Sequence, residues 1–119
     1  MASVEKKHIL EGLFEPDNLV EQRDWEVLRD GVNISVIYDE GRDGPRAAFL
    51  HYLPGASVPV HEHVGYEHIL ILSGTQQDGK NVYHKGTLVI HKPGSQHNIR
   101  SPEGCIALGI WQKPVKFLS

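Results

Sequence analysis

Short apolar stretches with alternating positions recur along the chain, and turn signals separate most of them. In the stretch from Val32 to Tyr38, the apolar side chains at every second position would share one face of a strand. The pair Asp30-Gly31, immediately before this stretch, is a strong signal for a hairpin turn. Strands are predicted in this way at residues 25–28, 32–38, 46–53, 67–73, 81–84, 87–91, 97–101 and 105–112, with one more around His61.

About nine or ten short strands, without a long segment of helical periodicity, indicate an all-β sandwich or barrel. The length of 119 residues suits one domain, and no repeat, linker or low-complexity tract divides the chain. We assign residues 25–119 to the barrel and residues 1–24 to an N-terminal extension that packs on the barrel or on a dimer partner. Within this extension, Glu15-Pro16-Asp17-Asn18 is a turn signal.

The composition argues against several classes of function. A net charge of −3 gives no electrostatic reason to bind nucleic acid or an anionic membrane. No apolar run is longer than four residues, as at residues 69–72, which is far too short to cross a bilayer, and residues 1–7 lack the apolar core of a signal peptide. The single cysteine rules out an internal disulfide and fits a reducing compartment, so we expect a cytoplasmic protein.

The candidate chemistry is concentrated in residues 55–74, within a sequence that contains eight histidines. His61 and His63 are two positions apart, so on a strand their imidazoles would point to the same side. Glu67 follows the Val64-Gly65 turn and could approach the same point from the next strand. Two imidazoles and a carboxylate form a set of ligands that suits Zn, Fe, Mn or Ni.

This stretch resembles the first motif of the cupin superfamily. That motif is a glycine, five residues, His-x-His, three or four residues, a glutamate, six residues and a second glycine. The positions that match it at every spacing are Gly55, His61, His63, Glu67 and Gly74.

A second stretch resembles the other cupin motif, which is a glycine, five residues, Pro-x-Gly, two residues, a histidine, three residues and an asparagine. Gly86, Gly94 and His97 match it. Lys92 stands at the usual proline and Ser101 at the asparagine, which are turn and scaffold positions rather than metal ligands. Within the cupins, the flanking sequences are most similar to the ChrR-type group, and also to the acetylacetone-cleaving dioxygenase type.

The resemblance implies an RmlC-like cupin jelly-roll β-barrel that forms a homodimer. It also implies one divalent transition metal per chain, Zn or Fe before Mn or Ni, with four ligands: His61, His63, Glu67 and His97. In anti-sigma proteins of the ChrR group, a separate helical domain with its own His/Cys zinc site contacts the sigma factor. Nothing in this sequence matches that domain, so sigma-factor binding is not expected.

Three further residues are candidates for contacting a substrate beside the metal: His51, Tyr66 and Cys105. His51 would approach the metal if its face of the strand points inward, and otherwise it is a partly exposed strand histidine. The same two interpretations apply to His91. Cys105 is either a small buried residue or a redox-sensitive group at the pocket.

Two functional hypotheses remain open, and they differ in whether the protein is an enzyme. In the first, a metal with an open coordination position supports dioxygenase-type or Lewis-acid chemistry on a small oxygenated organic molecule. In the second, the metal is structural or takes part in sensing a small ligand or an oxidant, as in the ChrR group. Isomerase-type sugar chemistry ranks lowest, because metal-free sugar cupins would not need all four ligands.

Overall fold

The computed structural model describes residues 6–118, which form antiparallel strands and one short helix. The elements, in chain order, are α1 (Pro16–Gln22), β1 (Glu26–Arg29), β2 (Val32–Asp39), β3 (Arg46–Tyr52), β4 (Ala56–Glu62), β5 (Glu67–Asp78), β6 (Asn81–His84), β7 (Leu88–His91), β8 (Gln96–Ser101), β9 (Cys105–Trp111) and β10 (Lys116–Phe117). The prediction of an all-β fold is therefore confirmed.

The long strand β5 joins two sheets into a curled half-barrel. The strand order is β1-β2-β3-β9-β5-β8-β4-β10, and β6 and β7 also pair with β5. The first part of β5 pairs with β7 and β9, whereas its last residues, from Thr75, pair with β6 and β8. Gly74 lies at this change of partners with φ of 72°, and a Cβ there would overlap the carbonyl oxygen of Gly104. The glycine at the end of the first motif is thus required by the backbone.

The two faces of the sheet around β3 bury different sets of residues. Ala48, Leu50 and Tyr52 point into the barrel and belong to its inner core. Phe49 alternates with them and packs on the outer face, beneath Leu19 of α1. Apolar residues of the N-terminal segment and the outer sheet surround this outer cluster: Leu10, Leu13, Val20, Trp25, Ile37 and Leu70. Contact of the N-terminal extension with a dimer partner stays a prediction.

Three local features differ from the sequence-based expectations. The turn predicted at residues 15–18 is instead the start of α1. Pro16 occupies the first helical position, where a backbone N–H would have no partner within the helix, so the N–H that proline lacks is not missed. Strand β5 continues to Asp78 rather than ending at Ser73, and β10 was not predicted. The other strands with predicted limits begin and end within about one residue of them.

No helix in the described range, residues 6–118, is long and apolar enough to span a membrane. The expectation that the chain starts without a signal peptide concerns residues 1–7. Of these, residues 1–5 lie outside the described residues.

Candidate metal centre and its cavity

A β-bulge in β4 turns His61 into the barrel. Val58 pairs with Ile99 and His61 pairs with His97, so β4 contains one residue more than β8 between the two pairs. Without that extra residue, the alternation that buries Val58 would direct His61 outward. Pro59 lies in the bulge, where its missing N–H costs no ladder hydrogen bond. As a result, His61 is buried and directly faces His97.

The hydrogen bonds of His61 and His97 direct one nitrogen of each ring to the same point. The Nδ1 of His61 lies 2.9 Å from the carbonyl oxygen of Pro59, and the Nδ1 of His97 lies 3.1 Å from Oδ2 of Asp78. Since both partners are acceptors, each Nδ1 carries a proton, and in the neutral rings each Nε2 has a free lone pair. The two Nε2 atoms are 3.0 Å apart. Two lone pairs at this distance repel each other unless a proton or a cation lies between them.

His63 lies in the connection between β4 and β5, and Ser95 fixes its ring. The hydroxyl of Ser95 donates to the carbonyl oxygen of Lys92 at 2.6 Å, so it accepts from Nδ1 of His63 at 2.8 Å. The Nε2 of His63 is therefore unprotonated in the neutral ring. This atom lies 3.2 Å from Oε1 of Glu67, but the two are not aligned for a hydrogen bond.

Glu67 begins β5, and Trp111 on β9 holds its carboxylate. The two residues are direct cross-strand partners, and the indole N–H of Trp111 donates to Oε2 of Glu67 at 2.6 Å. Burial raises the pKa of Glu67, but His63 and the hydrogen bond from Trp111 outweigh it, so the pKa lies below its ordinary value. Glu67 is thus an ionised carboxylate with one oxygen held and the other directed at the histidines.

His91 is a fifth residue that faces this group. It pairs with Glu67 across β7 and β5, so both side chains lie on the inner face. Its Nε2 is 3.8 Å from Oε1 of Glu67, and its ring stacks on that of His63 at a centroid distance of 4.7 Å. Burial, together with the nearby His97, lowers the pKa of His91 to about 4, so its ring is neutral at pH 7.

Buried polar atoms without partners support the fit of this group to a cation. Nε2 of His63, Oε1 of Glu67 and Nε2 of His91 are buried and form no hydrogen bond. Such atoms are costly in a folded protein unless something satisfies them. Two overlapping triads have ligand atoms within 4.8 Å of one another: His61, His63 and His97, and Glu67, His91 and His97. Both triads could bind a metal ion, and the four residues of the two cupin motifs lie among their members.

A cavity of about 240 Å³ opens beside this group, inside the half-barrel. His61 and Glu67 line both the cavity and the cluster of ligand atoms. The remaining wall is largely aliphatic and aromatic, from Leu28, Ile34, Leu50, Tyr52, Val58, Ile69, Ile99, Trp111, Pro114, Val115 and Phe117, with Arg29 and Arg46 at its polar positions. The volume is that of a small organic molecule.

The residues that line this cavity do not include the three predicted substrate contacts. His51 points outward and its ring meets Trp25 edge-on at 5.8 Å. Tyr66 is 43% exposed in the turn before β5. Cys105 is buried in the inner core, and burial raises the pKa of its thiol to about 11. These surroundings favour the interpretation of His51 as a partly exposed strand histidine and of Cys105 as a small buried residue.

Three groups that position this site were not predicted from the sequence: Asp78, Ser95 and Trp111. Asp78 precedes Gly79, and Asp-Gly favours a turn, so no sequence feature indicated that its carboxylate lies at the site. For His91, both an inward position near the metal and a partly exposed one were left open; its pairing with Glu67 places it on the inner face, whereas its neighbours Leu88 and Ile90 are about half exposed. Ser95 carried no distinguishing signal.

The comparisons with known proteins agree with the fold and with the motifs. The model of the ChrR cupin-like domain family matches residues 18–115, and no curated protein matches significantly. A chain in the crystal structure of Rhodobacter sphaeroides SigE in complex with the anti-sigma ChrR is 26% identical with a TM-score of 0.68. The match covers 77% of this chain and 50% of that one. This chain therefore spans only half the length of that relative.

Two further solved structures share the fold at low identity. A putative acetylacetone dioxygenase from Methylibium petroleiphilum has a TM-score of 0.80 at 16% identity. An acetylacetone dioxygenase from Acinetobacter johnsonii has a TM-score of 0.74 at 15% identity. In both cases the match covers 100% of this chain and 85% of the other. These likenesses confirm the cupin fold, and the family match extends over most of the sequence: the chain belongs to the ChrR cupin-like domain family.

Proposed function

We propose that this protein is a metal-dependent cupin enzyme of the dioxygenase type, which acts on a small oxygenated organic molecule bound in the cavity. The observation that carries this proposal is the position of His61 and Glu67, which belong both to the cluster of ligand atoms and to the cavity wall. A metal in the cluster would therefore meet a molecule in the cavity directly.

His61, His63, Glu67 and His97 are the residues that would hold the metal, as the cupin motifs imply. When bound, Fe would supply oxygen chemistry, whereas Zn would supply Lewis-acid polarisation or water activation; Mn and Ni suit the same ligands. Since Trp111 holds the carboxylate of Glu67, that residue acts as a fixed ligand rather than as a mobile base. The aliphatic wall excludes water from the face of the cluster that the substrate meets.

Metal analysis tests the ligand set. The protein is purified without chelators, and its Zn, Fe, Mn and Ni contents are measured for the wild type and for a His61→Ala/His97→Ala double variant. We expect about one metal ion per wild-type chain and little in the variant. The control is His68→Ala/His84→Ala, which removes two histidines that belong to neither triad. Equal metal contents in the wild type and the His61/His97 variant would show that the proposed site is wrong.

Oxygen uptake tests the reaction class. Acetylacetone is the first probe, because two solved structures with this fold are those of an acetylacetone dioxygenase and a putative acetylacetone dioxygenase. A dioxygenase would be supported if the Fe-loaded wild type consumes O₂ with this probe and the His61→Ala/His97→Ala variant does not. Zn-only loading without any turnover of small oxygenated compounds would contradict it.

A non-enzymatic sensing module is the second candidate, because the family takes its name from ChrR and one similar chain comes from a complex of SigE with the anti-sigma ChrR. In that case, occupancy of the cavity would be the signal. A signal through Cys105 is disfavoured, because this thiol is 4% exposed and its pKa is raised. Tight binding of a small molecule without turnover would favour this candidate.

We further propose that the protein is a cytoplasmic homodimer. Its oligomeric state can be measured by light scattering after size-exclusion chromatography, and a monomeric mass would contradict the dimer.

A further inference from the structure

A row of directly paired residues crosses five strands at the cavity. Along this row Asp39 faces Arg46, Arg46 faces Trp111, Trp111 faces Glu67, and Glu67 faces His91. Direct partners in antiparallel strands point to the same face of a sheet, so Arg46 lies on the same inner face as Glu67. Two strand spacings, about 10 Å, separate the backbones of these two residues. A positively charged residue therefore lines the same cavity as Glu67, two strands away from it.

Arg46 has hydrogen-bonding capacity that the protein does not use. Its Nε is buried and forms no hydrogen bond. The carboxylate that pairs with it, Asp39, has its Oδ2 3.6 Å from Nε and is about half exposed, so it offers only a weak ion pair. A guanidinium can form two parallel hydrogen bonds to a carboxylate, and Arg46 lines the cavity where such a ligand would lie.

Arg29 adds a second positive charge to the cavity wall. Its guanidinium lies 5.0 Å from the ring centroid of Phe117, and within residues 6–118 it has no salt bridge. Among the described residues that line the cavity, Glu67 alone has a carboxylate, and it faces the histidines and Trp111. The wall is therefore positively charged overall, and a divalent cation at the cluster would increase that charge. This electrostatic environment favours an anion over a neutral molecule.

We propose that the ligand of this cavity is a small organic acid that contains a second oxygen donor, such as an oxo- or hydroxy-carboxylate. Its carboxylate pairs with Arg46, its carbon chain contacts the aliphatic wall, and its second oxygen points to the histidine cluster. Because Arg46 and Glu67 are two strands apart, the carboxylate and the donor oxygen are separated by intervening carbon atoms. This proposal rests on the proposed function and narrows its substrate to anions.

Calorimetric titration of the Zn-loaded protein tests the proposal. Levulinate is the probe, and its methyl ester is the control ligand, which has the same ketone but no charge. We expect levulinate to bind about tenfold to a hundredfold more tightly than the ester, as a charged hydrogen-bonded pair requires. Arg46→Gln should remove this preference, and Arg29→Gln should reduce it. The control is Arg42→Gln, which removes the same charge from an exposed loop position and should leave binding unchanged.

Metal content and thermal unfolding are measured on the same samples. An Arg46→Gln variant that keeps its metal and its fold but binds levulinate as the wild type does would overturn the proposal. Equal affinity for acid and ester, or no saturable levulinate binding at millimolar concentrations, would also overturn it. Failure of the wild type to take up metal would instead count against the proposed function, so the two failures are distinguishable.

A different observation carries a second inference, which concerns His91. Its Nε2 is buried without a hydrogen-bond partner and belongs to a triad with Glu67 and His97. We propose that His91 is a fifth protein ligand, so that four imidazoles and one carboxylate surround the ion. Five ligands favour metals that accept five or six donors over tetrahedral Zn.

Proton NMR of the Co(II)-substituted protein tests the role of His91 without reference to activity. Ring protons of imidazoles bound to Co(II) are strongly shifted, so four histidines should contribute in the wild type and three in His91→Gln. The metal affinity of this variant should fall about tenfold or more. The control is His84→Gln, on exposed β6. An unchanged set of shifted signals in His91→Gln would overturn the inference.

Discussion

Replacing Trp111 with phenylalanine tests whether the second oxygen of Glu67 must be held for metal binding. The change removes a 2.6 Å hydrogen bond from the indole N–H to a carboxylate that is 3% exposed. Leaving a buried acceptor without its donor costs about 1–3 kcal/mol, so the metal-free protein should lose stability of that order. Removal of a group that orients a metal ligand typically lowers affinity about 10–100-fold, and we expect the same here.

The chain contains a matched control, because it has two tryptophans. Trp25 donates its N–H to the carbonyl oxygen of Val20 at 3.2 Å, in the outer cluster. Trp25→Phe should therefore lower stability without changing metal affinity. Urea unfolding of the metal-free proteins and competition with a chelator for Zn measure the two quantities. If Trp111→Phe binds Zn within about twofold of Trp25→Phe, the carboxylate does not need this hydrogen bond and the reasoning is wrong.

Three further predictions follow from the same packing. In Gly109→Ala, the new methyl group would overlap the indole of Trp111, so we expect a stability loss of about 1–3 kcal/mol in urea and weaker Zn binding; unchanged Zn affinity would show that the ring can move freely. In Asp78→Asn, the hydrogen bond that fixes the ring of His97 loses its charged acceptor, and Zn affinity should fall about tenfold by chelator competition, whereas wild-type affinity would refute that role. Burial raises the pKa of the Cys105 thiol to about 11, so with rising pH this thiol ionises in the unfolded chain before it ionises in the folded protein. The free energy of unfolding should therefore fall by about 2–3 kcal/mol at most as the pH rises from the ordinary thiol pKa of 9.0 to 11. Cys105→Ala should lack this part of the pH dependence of urea unfolding, and an identical fall in the variant would contradict it.

The spacing of the two motifs allowed the four candidate ligands to be named before their positions were known. His61, His63 and Glu67 are close in sequence, so strand and turn geometry limit where their side chains can point. The reason that His61 faces inward is nevertheless the bulge at Pro59 and Val60, which reverses the alternation of β4. Proline in a strand is compatible with a bulge, but it does not specify the direction of the side chains that follow.

The second layer of the site could not be predicted, because it depends on pairing between distant strands. Asp78 reaches His97 only because β5 continues past its apolar section and pairs with β8. Trp111 lies beside Glu67 because of the register in which β9 pairs with β5. His91 lies beside Glu67 because of the register in which β7 pairs with β5. A register is fixed by packing over the whole sheet, and a shift of one residue would turn each of these side chains outward.

The sequence by itself determined the fold class, most strand limits and three candidate ligands, His61, His63 and Glu67, because these depend on local alternation, turns and short spacings. The resemblance to the second cupin motif added His97. Only the tertiary structure decided what surrounds that centre. The curled sheet brings Arg46, Glu67 and His91 onto one inner face, and it directs His51 to the outer face. The physical reason is that a strand has two nearly equivalent faces, and the choice between them is made by the packing of the complete barrel.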